Sequence, residues 1–137
     1  MDKSLNYVSL ARKAGRIELG EEPVGAVTRA QKARLVVVAQ DASDPTWRRA
    51  KSFVAGTNQQ CIRIPYSKEE LGLAVGRTSL AIGAFTDAAM ALAFVKALPE
   101  SQKYADTIGA LDEKSRKLRQ REDEAKAHQR NIRKGKK

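Results

Sequence analysis

Residues 35–39 read LVVVA, an aliphatic run without one polar position. Such a strand offers no side chain to water on either face, so both faces must be covered by other parts of the chain. The flanking sequence supplies those covers. Ser4 stands where a helix cap is wanted, Leu5, Val8 and Ala11 share one helical face over residues 4–14, and Gly15 suits a left-handed stop. Residues 16–19 predict a short strand. Gly20, Glu21, Glu22 and Pro23 form a turn into a second helix, with Pro23 in the first turn, where its missing N–H is not needed. Val24, Val27 and Ala30 then recur at helical spacing.

After the aliphatic strand, Asp41, Ala42, Ser43, Asp44 and Pro45 open a third helix. Its inner face is Trp47, Ala50 and Val54, with Phe53 alongside, and Arg48, Arg49 and Lys51 point outward. Cys61, Ile62 and Ile64 make another apolar strand that stops at Pro65. Ser67 with Glu70 three positions on is a capping box for a short fourth helix ending at Gly76. Residues 79–85 predict a further strand. Asp87 caps a helix over residues 88–98 that is apolar on nearly every side except at Lys96. Helices alternating with about four short apolar strands predict an α/β fold, a three-layer α/β/α sandwich.

Pro99 closes this unit, so the expected organisation is a domain over residues 1–99 and a basic, partly helical or disordered tail over 100–137. In the tail, Tyr104, Ile108, Leu111, Ser115 and Leu118 keep a heptad-like spacing that fades at Glu122 and Ala125. This predicts a helix docked on the domain, or weakly dimerised through residues 104–118, that continues into a solvated arm.

The charge is unevenly spread. Residues 1–111 hold 15 Lys/Arg against 11 Asp/Glu, and residues 112–137 hold 11 against 5. More than half of the net charge of +10 therefore lies in the tail. A segment this basic seeks polyanions, since each neutralised phosphate releases condensed counterions. The phosphate-contacting positions expected there are Arg116, Lys117, Arg119, Arg121, Arg130, Arg133, Lys134, Lys136 and Lys137.

Much chemistry is excluded. The single histidine, His128, lies in the tail, so metal clusters and Ser/His or Cys/His pairs within the domain are not expected. No phosphate-cradling GxxxxGK[ST] loop occurs, and no GxGxxG follows a strand. The pairs Glu21/Glu22 and Glu69/Glu70 sit at helix starts, where capping and the helix dipole account for them. No enzyme, metal or cofactor is expected. With one cysteine, no signal-peptide pattern and no apolar stretch of membrane length, a reduced cytoplasmic setting is the expectation.

Three segments carry a resemblance to a known family: LARKAGRIELGEEPVGAV (10–27), ARLVVVAQDASDP (33–45) and IPYSKEELGLAVGR (64–77), the last with Leu71, Gly72 and Gly76 at characteristic spacing. They resemble the ribosomal-protein family of the large-subunit proteins seven-Ae and thirty-e. The pattern LARKAGRIELGEE is most similar to its bacterial YlxQ-type branch. The resemblance implies a non-catalytic, kink-turn-type RNA-binding fold, with ribosomal or other structured RNA as partner and no small-molecule substrate.

It also implies where RNA would lie. In the family, a Gly-x-Asn-Glu-x-x-Lys motif at the start of the second helix reads sheared G·A pairs with backbone amides and three side chains. Gly20 matches, but Glu22, Pro23 and Ala26 replace the three side-chain readers. The implied contacts are Gly20, Glu21, Glu22 and Val24 at that helix start, Asp41 after the second strand, and Arg77, Thr78 and Ser79 in the loop that covers an extruded base. Lys13, Arg16, Arg29, Lys32 and Arg34 are expected near the same end as phosphate contacts. The alternative function is a protein–protein adaptor on the same fold that has lost specific kink-turn reading. A third, the substrate-recognition half of an RNA 2′-O-methyltransferase, fails because nothing after Leu98 could form a cofactor domain.

Overall fold

The computed structural model describes the backbone of residues 2–135 and the side chains of residues 2–128. Helix α1 (Lys3–Lys13) leads into strand β1 (Ile17–Leu19) and helix α2 (Glu21–Arg29). Strand β2 (Leu35–Val38), helix α3 (Asp44–Val54) and strand β3 (Gln60–Arg63) follow. Helix α4 (Lys68–Ala74), strand β4 (Ile82–Phe85) and helix α5 (Ala88–Lys96) complete the alternation. A 3₁₀ turn (Ser101–Tyr104) then enters helix α6 (Ala105–Gly135).

The four strands form one mixed sheet in the order β1-β4-β2-β3. Strand β4 runs antiparallel to both β1 and β2, while β3 lies parallel to β2 at the edge, joined to it through α3. All four residues of β2 and all four of β4 are buried, as the uninterrupted aliphatic runs require. Helices α2 and α3 pack on one face of the sheet, and α1, α4 and α5 on the other, giving the three-layer sandwich. Phe85 and Phe94 meet in the core with ring centroids 5.0 Å apart.

Local signals set the helix starts. The Ser67 hydroxyl accepts from the Glu70 N–H at 3.1 Å and the Glu70 carboxylate accepts from the Ser67 N–H at 3.0 Å, the reciprocal capping box. Asp87 caps α5 through the Met90 N–H at 2.9 Å. One cap differs from expectation. Asp2, not Ser4, caps α1, accepting from the Ser4 N–H at 3.0 Å. The Ser4 hydroxyl is fully buried and hydrogen-bonds the Tyr66 hydroxyl from the β3–α4 connection, so a tertiary contact has claimed it.

The core does not stop at residue 99. Leu98 and Leu111 belong to the same buried cluster, and Thr107 and Ser115 are buried beside it. The start of α6 lies along α5 and reaches the β3 edge. There the Thr107 hydroxyl donates to the Gln60 side-chain oxygen at 3.2 Å, and the Tyr104 hydroxyl donates to the Arg63 carbonyl at 3.3 Å. The boundary expected at residue 99 thus separates a mixed-charge segment from a basic one, but not two packing units. Of the positions considered for a dimer seam, Leu111 and Ser115 are buried within the single chain, while Tyr104, Ile108 and Leu118 are half-buried.

Candidate nucleic-acid interface

Strand direction decides which loops can share a surface. The pairings Leu19↔Gly83 and Val38↔Ile82, with Val38 beside Arg63, place the C-terminal ends of β1, β2 and β3 together with the start of β4. Four connections therefore meet at one end: Gly20 and the start of α2, residues 39–43, residues 64–67, and residues 77–81. Backbone hydrogen bonds stitch them. The Gly20 N–H donates to the Ile82 carbonyl at 3.0 Å, Ala39 N–H to Ala81 at 2.9 Å, Gln40 N–H to Tyr66 at 2.9 Å, and Leu80 N–H to Lys68 at 2.9 Å. Asp41 joins in through its carboxylate, which accepts from the Lys68 N–H at 2.8 Å. The sequence-implied sites at Gly20, Glu21, Glu22, Asp41, Arg77, Thr78 and Ser79 are thus brought to one edge.

The local geometry explains the glycines. Gly20 has φ 100°, a backbone conformation that side chains disfavour, and this kink turns the chain from β1 into α2. Among the described residues no side chain caps α2, so the amides of Glu21 and Glu22 are not engaged by a cap, and Pro23 has no N–H to offer. A Cβ on Gly72 would stand 2.7 Å from the Ser79 Cα and 2.9 Å from the Arg77 carbonyl oxygen, so the 77–79 loop lies flat on α4. Val24 is fully buried and shapes the helix from beneath rather than facing a ligand, which removes it from the contact set.

The charge at this edge is mixed. The Glu21 carboxylate pairs with the Arg49 guanidinium of α3 at 3.2 Å, and both groups are solvent-exposed. Arg29 folds back along α2, its guanidinium 3.1 Å from the position a Gly25 Cβ would take. Glu21, Glu22, Gly25, Arg29, Arg49 and Phe53 line a groove of about 500 Å³ between α2 and α3. Arg49 and Phe53 escape a sequence reading as site residues, because their proximity to α2 depends on how α3 crosses the sheet.

Arg63 escapes it as well. Its guanidinium lies 4.9 Å from the Trp47 ring centroid, and the Lys51 ammonium lies 5.2 Å from the same ring. The Arg63 Nε is buried without a hydrogen-bond partner among the described residues.

Four expected phosphate contacts fall elsewhere. Lys13 ends α1, Arg16 precedes β1, and Lys32 and Arg34 precede β2, so all four stand at the opposite end of the sheet. The pairing of Ile17 and Leu35 with Phe85 fixes this, and the Arg34 N–H bonds the Phe85 carbonyl at 2.7 Å. Of the tail positions, Arg116, Lys117, Arg119 and Arg121 are exposed on α6. Arg116 pairs with Asp112 at 3.0 Å and Lys117 with Glu113 at 3.2 Å. The side chains of Arg130, Arg133 and Lys134, and all of Lys136 and Lys137, lie outside the described residues.

The model of the ribosomal protein L7Ae/L30e/S12e/Gadd45 family matches residues 2–92. The RNA-binding protein YlxQ of Enterococcus faecium is 32% identical over 81 residues, which cover 59% of this chain and 78% of that protein. A Bacillus halodurans C protein with unknown function superposes with a TM-score of 0.62 at 22% identity, covering 80% of this chain and 99% of the other. The Giardia lamblia 15.5kD RNA binding protein superposes with a TM-score of 0.58 at 20% identity, covering 79% and 83%. At these identities the two structures speak for the fold alone. The family match spans most of the sandwich, and the chain belongs to the L7Ae/L30e/S12e/Gadd45 ribosomal protein family.

Proposed function

We propose that this protein is a non-catalytic RNA-binding protein that takes structured RNA, ribosomal or other, against the edge where α2 begins. The observation that carries this reading is the junction of Gly20 with Ile82 and of Ala39 with Ala81, which sets an uncapped helix start beside the Arg77–Ser79 loop. Free amides at a helix start attract phosphate or base acceptors, and the partial positive charge there adds to the attraction. Arg77 is exposed on the neighbouring loop, where a guanidinium can stack on an unpaired base or clamp a phosphate. Membership of the family and the name of the Enterococcus relative support the same reading.

The side-chain readers of a standard kink-turn are replaced by Glu22, Pro23 and Ala26. The edge therefore favours shape and backbone over the sheared G·A code, so a bulged or bent RNA is bound with modest preference for a kink-turn. The decisive experiment is crosslinking of the full chain to cellular RNA, with sequencing of what is bound and mapping of the crosslinked peptides. Structured RNA attached to peptides around residues 20–22 and 77–79 is expected. A chain that co-purifies with a protein and crosslinks to no RNA is instead the adaptor.

A further inference from the structure

The end of the sheet opposite the α2 start has a cationic groove of its own. Helix α6 passes the connection between α3 and β3 and leaves a cleft of about 490 Å³, walled by Asn58 and Gln60 on one side and by Lys114, Lys117 and Arg121 on the other. A smaller recess of about 90 Å³ continues from it, shares Asn58, Gln60 and Lys114, and adds Arg34. Four cations thus border one continuous depression. Among the described residues the one carboxylate on its wall, Glu113, is paired with Lys117 at 3.2 Å.

The cluster is under electrostatic stress. Burial, and then the charges of Arg34, Arg121 and Lys117, hold the Lys114 ammonium below its ordinary pKa. The Arg34 Nε is buried with no hydrogen-bond partner among the described residues. Like charges gathered around a cleft gain when an anion enters. Lys114, Lys117 and Arg121 recur on one side of α6 and span about 10 Å at 1.5 Å per residue. That length suits a run of phosphates rather than a single small anion.

We propose that this groove is a second phosphate-binding surface, which holds the backbone of an RNA segment at the end of the sheet opposite the α2 start. This inference rests on the RNA-binding reading above. It gives Arg34 a role that the first edge cannot give it, and it assigns the proximal half of α6 to a defined cleft rather than to diffuse attraction. One protein then contacts two separated stretches of a folded RNA.

The test uses the full chain and a fluorescein-labelled bulged RNA hairpin, with anisotropy titrations across a range of salt. Three variants are compared: the groove triple Lys114→Gln, Lys117→Gln, Arg121→Gln; a charge-matched triple on α1 and α5, Lys3→Gln, Arg12→Gln, Lys96→Gln; and the loop variant Arg77→Gln. All substituted positions are exposed, and thermal melts verify that each variant folds. Removing one cation that touches a phosphate lowers the slope of log K against log salt by roughly 0.7–0.9, so the groove triple is expected to flatten it by about two units, well beyond the charge-matched triple. Equal effects of the two triples overturn the groove and leave the first edge standing, provided that Arg77→Gln weakens binding. A wild-type chain that ignores the hairpin overturns both readings. Amide shifts around Asn58 and Lys114 that saturate with inorganic phosphate alone assign the cleft to a small anion and overturn the RNA proposal.

Discussion

Gly72 and Ser79 lie so close that a methyl group on Gly72 would reach within 2.7 Å of the Ser79 Cα and 2.8 Å of its nitrogen. The obstacle is backbone, which cannot rotate aside, so Gly72→Ala must lift the 77–79 loop off α4. Overpacking of this kind costs about 1–3 kcal/mol. Gly76→Ala is the matched comparison: its φ of 73° imposes strain, but no atom lies within 4 Å of the added methyl. Both variants lower the melting temperature. Only Gly72→Ala is expected to weaken RNA binding beyond what its stability loss explains, as anisotropy on the folded fraction will register.

Charge at the start of α2 gives a second expectation. A carboxylate about 4 Å from a phosphate in water opposes it by about 1 kcal/mol, or roughly fivefold in affinity. Glu22→Gln should therefore tighten RNA binding several-fold at low salt, with the gain shrinking as salt is added. Glu21→Gln also removes a carboxylate and frees Arg49. Since that ion pair is exposed, its loss should change stability by under about 1 kcal/mol. Tighter binding without a stability change is the signature to look for; unchanged affinity in both variants would place RNA away from this edge.

The helical extension is anchored at its root. Leu111 is 2% exposed, and Leu111→Ala is expected to destabilise the fold by about 2–5 kcal/mol, readable by urea denaturation. Deleting residues 100–137 removes this anchor and the packing of α6 on α5, so it should cost stability as well as RNA affinity. Deleting 121–137 instead leaves the anchor in place while removing seven Lys/Arg. The expected result is an unchanged melting temperature with a shallower salt dependence of binding.

Alkaline pH supplies a fourth expectation. Burial pushes the Cys61 thiol up from 9.0 to about 12, against a smaller opposing pull from Lys51. Burial likewise raises the Tyr66 hydroxyl above its ordinary value of 10.0. Both groups hold their protons more tightly folded than unfolded. Their contribution is fully present below the unfolded pKa values and is lost as pH rises through the folded ones. Stability should fall between about pH 9 and pH 12, and Cys61→Ala should soften that fall. At pH 8 the native thiol should alkylate much more slowly than the same thiol in urea.

What the sequence displays of all this follows the range of the interaction. The capping box of Ser67 and Glu70 spans three residues and the Asp87 cap three more, so both are legible from spacing. The buried strands are legible because aliphatic residues on both faces leave a single arrangement. Spacing alone misplaces the α1 cap at Ser4, because Tyr66, 62 residues away, holds that hydroxyl. Lys13, Arg16, Lys32 and Arg34 go to the wrong end for a similar reason. Which end of a sheet a residue occupies depends on strand direction, and the antiparallel course of β4 through the middle is not written in any local pattern. Val24 has the periodicity of a core residue and is one, whereas family analogy counts it among the contacts.

The 31 residues of α6 form one continuous helix, which at 1.5 Å per residue is about 46 Å long. Its root is clamped by Leu111 and Ser115, so its heading relative to the sheet is set before any partner arrives. If RNA is held both at the α2 start and in the α6 groove, as proposed, the protein would act as a caliper: the spacing between its jaws would be a property of the polypeptide, and a folded target whose two strands are separated differently would have to bend or be refused.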